Sequence, residues 1–150
     1  MSNIIGEDTD QQGSKVVLYF VRYGDISAKL SAFFLRQWAN LIESGYANPN
    51  YIPNVSHSRL IYATIDGEIV GHILWEVYSN SSYVIFTVVD PAFQRRGLYK
   101  MLHKFYDKRM IDGHGGISRS TLHVTNTAII EAAKKNGYEV EFLKMRKNYK

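Results

Sequence analysis

Apolar positions along this chain switch repeatedly between two spacings. Lys15 to Tyr23, KVVLYFVRY, is β-branched and aromatic and predicts a strand. Ile26, Leu30, Phe33, Phe34, Leu41 and Ile42 then recur at helical spacing. Asp25 is placed to cap that helix, and Gly45 suits a left-handed stop. Tyr46 to Ser58, YANPNYIPNVSHS, carries the turn-forming prolines and asparagines of a long loop. Leu60–Ile65 and Glu68–Tyr78 are strand-like runs joined by Asp66-Gly67, a strong hairpin signal. SNSS, residues 79–82, marks another reversal, and Tyr83–Val89 is a near-continuous apolar strand that Pro91 stops. Leu98, Met101, Leu102 and Phe105 predict a helix to about Met110, with Lys100, Lys104 and Lys108 on another face. DGHGG, residues 112–116, breaks it. Thr121–Thr125, TLHVT, predicts a short strand, and Thr127–Lys135 a helix closed by Asn136-Gly137. Tyr138–Met145 reads as a final strand. The opening MSNIIGEDTDQQGSK is polar and acidic, so residues 1–14 are expected to form a flexible tail.

The resulting order is β, α, loop, β, β, β, α, β, α, β. Three consecutive strands form an antiparallel meander, and the segment from Tyr83 to Thr125 is a parallel strand–helix–strand crossover. The fold class is α/β (α+β), with a mixed, mostly antiparallel central sheet and helices on both faces. The 150 residues fit one domain.

Composition changes this picture little. No run approaches the ~20 apolar residues of a membrane span, and the start lacks the apolar core of a secretory signal. The absence of cysteine excludes disulfides, thiol nucleophiles and thiolate metal sites, and is compatible with a cytoplasmic location. The net charge of +4 is a mild excess. It suits an anionic ligand or a basic soluble surface. The dispersed lysines and acidic start argue against a nucleic-acid-binding face.

The strongest chemical signal is VVDPAFQRRGLYKML, residues 88–102. Arg95, Arg96 and Gly97 fall where a helix begins, and there backbone amides lack carbonyl partners and the dipole is positive. Gly97 lets the backbone approach a bound group, so the junction reads as a phosphate or pyrophosphate site. The alternative is a solvated turn with both arginines in water.

VVDPAFQRRGL before an amphipathic helix, then LHVTN and NTAIIEAAKKNGY, resembles the GNAT superfamily of N-acyltransferases. Those enzymes carry an Arg/Gln-x-x-Gly-x-Gly/Ala loop after a strand ending in Val-x-Pro. They also carry an Asn that opens a later helix closing in Gly-Phe or Gly-Tyr. Here these are Val89-Asp90-Pro91, Gln94-Arg95-Arg96-Gly97-Leu98-Tyr99, and Asn126 through Gly137-Tyr138. The resemblance covers about Leu60 to Tyr138. It implies a pair of splayed parallel strands, Tyr83–Val89 and Thr121–Thr125. It also implies acetyl-coenzyme A as acyl donor, with its pantetheine arm on the backbone of Thr87, Val88 and Val89. The amides from Arg95 to Lys100 then meet the pyrophosphate, and one amide near Val88 polarises the thioester carbonyl.

Three positions and the C-terminal end depart from that pattern. Tyr99 replaces the loop's second small residue, Ala133 stands where a thiolate-protonating tyrosine is usual, and Tyr83 stands where a glutamate base is common. The chain ends soon after its first C-terminal strand, which leaves an edge for a homodimer. His123 has a pKa suited to a base and falls where some related enzymes place a glutamate. Its other reading is a half-buried strand histidine. Asn126 bonds the pantetheine or a water, or caps its helix. The resemblance implies direct transfer of an acetyl or other short acyl group to a small-molecule or peptide amine. The alternative is a non-catalytic acyl-coenzyme A-binding or partner-binding module of the same fold.

Overall fold

The computed structural model describes residues 3–22, 25–50, 57–79, 81–113, 116–122, 125–142, 145, 147 and 149. Six strands form one sheet in sequential order: β1 (Asn3–Thr9), β2 (Lys15–Val21), β3 (Arg59–Ile65), β4 (Glu68–Val77), β5 (Ser81–Val89) and β6 (Ile117–Ser120). Every neighbouring pair is antiparallel except β5 and β6, which are parallel. The helices are α1 (Ala28–Glu43), α2 (Leu98–Gly113) and α3 (Thr127–Lys135). The mixed sheet expected from the sequence is therefore present.

Strand alternation sends two sets of side chains to opposite faces. Val16, Leu18, Phe20, Ile61, Ala63, Ile73 and Trp75 pack with Leu98, Leu102 and Tyr106 of α2. Val21, Leu60 and Leu74 pack with Leu30 and Phe34 of α1. Burying these apolar faces on both sides of the sheet is the main driving force holding the layers together. The β3–β4 turn has the positive φ angles that its sequence signals, 51° at Asp66 and 79° at Gly67.

Several expected boundaries move. Residues 1–14 are not a flexible tail over their described length: β1 pairs along β2 from Asn3 to Thr9. The strand crosses the Phe105 ring of α2 at Gly6, where a Cβ would collide with that ring. The cap of α1 is Ser27, whose Oγ accepts from the Leu30 amide at 3.2 Å, instead of Asp25. The strand after α2 is Ile117–Ser120; of the expected Thr121–Thr125, the described residues Thr121, Leu122 and Thr125 lie outside it and the other two lie outside the described residues. No strand forms among described residues 138–142.

Candidate functional site

Strand β5 is paired on both sides for only half its length. Ser81, Ser82, Tyr83 and Val84 pair with Ile117, Ser118, Arg119 and Ser120 of β6, and the ladder ends there. At that point the register with β4 also shifts, from Trp75–Val84 to Leu74–Phe86, leaving Ile85 as an extra residue. A bulge bends its strand and sharpens the twist. From Phe86 to Val89 strand β5 keeps its β4 partners and, among the described residues, has none on the β6 side. Alternate residues there turn an N–H and a C=O toward an open edge. Tyr83 and Thr121 hydrogen-bond across the start of the opening.

The β5–α2 connection is held rigidly from behind. The Asp90 carboxylate accepts from the Ala92 amide at 3.0 Å and from the buried Gln37 amide group of α1 at 2.9 Å. Gln94 donates to the Val89 carbonyl at 3.2 Å, so that acceptor is already engaged. Arg95 and Gly97 adopt left-handed φ values of 62° and 83°. Arginine rarely adopts that conformation, and holding it costs roughly 1 kcal/mol or more. These turns bring the chain to the start of α2, where the first amides have no intrahelical acceptor.

The side chain of Arg96 is mostly buried and engaged from the β1–β2 side, while the residue remains on the wall of a cleft that runs along α2. Its Nε and Nη2 both lie 2.6 Å from Asp10 Oδ2, and Nη2 donates to Ser14 Oγ at 2.8 Å. Asp10 Oδ1 accepts from the Gln12 and Ser14 amides at 2.9 Å each. Burial raises the Asp10 carboxyl pKa, but the Ser14 amide, Arg96 and the Gln12 amide outweigh it and hold it below the usual value. The Gln11 amide also donates to the Arg96 carbonyl at 3.0 Å. The β1–β2 hairpin tip thus braces the loop, a role hidden by reading the segment as a tail. The discernible signal was the Asp10-to-Gly13 turn between two strand-compatible runs.

Along α2 from this loop runs a cleft of about 650 Å³, whose lining includes Gln11, Gly97, Lys100, Lys104 and Lys108. Asp8 pairs with Lys104 at 3.3 Å, so the lysine row is partly compensated. Leu98 is buried in the core. The Tyr99 ring packs against His103, 4.6 Å between centroids, and joins the α2-side core. Burial pushes the Tyr99 phenol up to about 12. Tyr99 is not part of the cleft lining.

Beneath the opened strand lies a buried polar seam. Thr87 Oγ1 is 3.4 Å from His103 Nε2, while His103 Nδ1 has no partner. Burial draws the His103 pKa down to about 4, so the ring is neutral at pH 7. Tyr106 bonds both Ser82 and Ser118, and Ser118 reaches the Tyr138 hydroxyl at 2.8 Å. Tyr138 closes the helix whose Asn126 stands at its N-cap. The Asn126 side chain makes no cap bond, because ψ of 68° departs from the extended geometry that caps require. Only its carbonyl serves the helix, accepting from the Ile130 amide. Ala133 is buried. His123 lies outside the described residues.

The structure brings the main-chain groups of Thr87 and Val89 to the open edge, with those of Val88 turned to β4 between them, and Gln94 through Lys100 to the adjoining helix start. The residue types fit a pantetheine–diphosphate ligand: an unpaired strand edge offers amide partners, and a helix start offers donors to phosphate.

Residues 26–146 match a family described as the acetyltransferase (GNAT) domain. No curated protein matches the sequence. Among solved structures, an aminoglycoside acetyltransferase from an uncultured soil metagenomic sample, in complex with sisomicin, superposes with a TM-score of 0.67 at 13% identity. The match covers 90% of this chain and 97% of that one. A ribosomal-protein-alanine N-acetyltransferase from Brucella melitensis biovar Abortus 2308 gives 0.67 at 11% identity, covering 89% and 99%. The aminoglycoside N-acetyltransferase AAC(6')-Iy in complex with CoA gives 0.61 at 17%, covering 91% and 97%. At such identities these likenesses are of fold.

Proposed function

The chain belongs to the GNAT acetyltransferase family, and from that premise we propose that it transfers an acetyl group from acetyl-coenzyme A to a primary amine. The observation that carries this reading is the coincidence of the Ile85 bulge with the end of the β5–β6 ladder, next to the left-handed loop at Arg95 and Gly97. The coenzyme supplies an activated acyl thioester. Thr87 holds the pantetheine arm through its carbonyl and Val89 through its amide, since Gln94 engages the Val89 carbonyl, while Val88 between them is paired with His72 of β4 and fixes the strand. Amides at Gly97, Leu98, Tyr99 and Lys100 take the diphosphate, with the side chain of Arg95 adding charge. Arg96 acts by positioning, since Asp10 engages its guanidinium.

In the proposed reaction the amine nitrogen bonds the acyl carbon as the carbon–sulfur bond breaks, with no covalent enzyme intermediate. The Thr87 amide, beside Val88 and on the open side of β5, donates to the thioester oxygen as charge develops there. His123 takes the proton that the amine must lose, since free amines are protonated near neutral pH. The released thiolate takes a proton from solvent. The acceptor class, an amine on a small molecule or a peptide, rests on the neighbours that act on aminoglycosides and on ribosomal-protein alanine.

The reading places one such domain over residues 1–150 in the cytoplasm. The lack of cysteine suits that compartment, and no helix among the described residues is long and apolar enough to cross a membrane. It also has two copies of the chain pair through the C-terminal segment that follows α3. Monomeric sedimentation at high concentration would remove that part alone.

A second reading, coenzyme binding without transfer, draws on Ala133, which offers no proton to a thiolate. An assay of thiol release from acetyl-coenzyme A across a panel of primary amines separates the two. The chain has no thiol of its own to obscure the signal. Amine-dependent release with a mass gain of one acetyl group on the amine supports transfer. Binding without release supports the second reading.

A further inference from the structure

Three arginines from three elements meet at the opposite end of α2 from the diphosphate loop. Arg22 follows β2, Arg59 opens β3, and Arg109 lies near the end of α2. They line one cleft of about 360 Å³ together with Trp75 and Asp112. The cleft along α2 reaches Lys108 and shares Asp112 with this one, but twelve helical residues, about 18 Å, separate Arg109 from Gly97, so the arginines stand well away from the amides at the start of α2. The Arg109 guanidinium stacks on the Phe20 ring at 3.4 Å from its centroid, and Arg22 approaches the same ring at 6.0 Å.

Among the described residues none of the three arginines is ion-paired, and Asp112 pairs with none of them. Burial, and then the charges of Arg22 and Arg59, depress the Arg109 pKa, so the three cations feel one another. The α2 C-terminus offsets some of this repulsion, but it carries only about half a negative charge against three positive ones. A second group is also unsatisfied. Trp75 is fully buried and its indole N–H has no acceptor, although buried indoles usually find one.

We propose that this cleft binds a multivalent oxyanion, a phosphoryl group carried either as free phosphate or as a small phosphomonoester. Guanidinium forks match phosphate oxygens in a bidentate manner, and three converging forks neutralise a dianion with charge to spare. The Trp75 N–H supplies a further donor at the wall. The site is independent of acetyl transfer.

Calorimetric titration of the full-length protein with inorganic phosphate and with phenyl phosphate, in chloride-matched buffer, tests this. Saturable millimolar or tighter binding is expected, weakened about tenfold or more by Arg22→Gln or Arg59→Gln. Coenzyme A affinity stays unchanged in both variants. Without phosphate, Arg22→Gln, at an exposed position, melts at or above the wild-type temperature because repulsion is relieved. Tighter binding of phenyl phosphate identifies an ester ligand; equal binding identifies free phosphate. Absence of saturable binding, or equal binding by wild type and both variants, overturns the proposal.

Discussion

Asp10 and Arg96 are 86 positions apart and meet at 2.6 Å, with the Asp10 carboxylate fully enclosed. One end of the chain thereby sets the shape of the loop at the start of α2. Replacing Asp10 by Asn leaves the size but removes the charge. We expect a lower denaturation midpoint and coenzyme A affinity weaker by about tenfold, the scale of one lost charge-assisted contact. An unaltered midpoint together with unaltered affinity would show that the hairpin tip does not brace the loop.

Gly97 faces two constraints at once. Its φ is 83°, and a Cβ would stand 3.2 Å from Gln11 Nε2. Gly97→Asp adds a negative charge at the helix start, and Gly97→Asn is the control because asparagine tolerates left-handed φ. Both variants should fold. The aspartate variant should lose coenzyme A binding by about a hundredfold, and the asparagine variant by much less. Equal losses would mean that shape, not charge, governs the site.

Gly71 permits the close contact between β4 and β5 behind the open edge. A Cβ there would lie 2.8 Å from the Val88 carbonyl oxygen and 3.3 Å from Leu102 Cδ1. Gly71→Ala should therefore destabilise the fold by about 1–3 kcal/mol. A denaturant midpoint at the wild-type value would refute the close packing.

Two buried histidines set the acid side of the stability profile. Burial lowers His72 to about 3 and His103 to about 4, from 6.5 when unfolded. Between pH 6.5 and about 4 the unfolded chain binds more protons, so stability falls as pH falls, by up to about 1.4 kcal/mol per unit for each ring. Below 3.8 the depressed Asp10 carboxyl adds a further loss as it protonates. His72 is ringed by Phe33, Phe34 and Phe86, and neither of its nitrogens has a partner. His72→Phe should remove one proton from the pH slope. A slope equal to wild type between pH 6 and 4 would contradict this assignment.

Local signals were legible where the chemistry is local. Asp66-Gly67 specifies its own turn, and Gly45 ends α1 with φ of 77°. The QRRG stretch specifies a helix start whatever surrounds it. The misplaced strand shows the limit. TLHVT has the β propensity, but the pairing seen among the described residues is at Ile117–Ser120, opposite the part of β5 that precedes its Ile85 bulge. The bulge follows from a register between two strands and leaves no composition signature. The inward turn of Arg96 was equally hidden, since its partner lies in a segment whose polarity reads as disorder.

The central claim is that main-chain groups at the opened half of β5 and the first turn of α2 receive the coenzyme. Amide hydrogen exchange, resolved by residue in the free protein and with saturating acetyl-coenzyme A, tests it most directly. Protection should appear within Ile85–Val89 and Gly97–Lys100, with the β1–β2 and β3–β4 ladders unchanged. Saturation with no added protection in either segment would contradict the account.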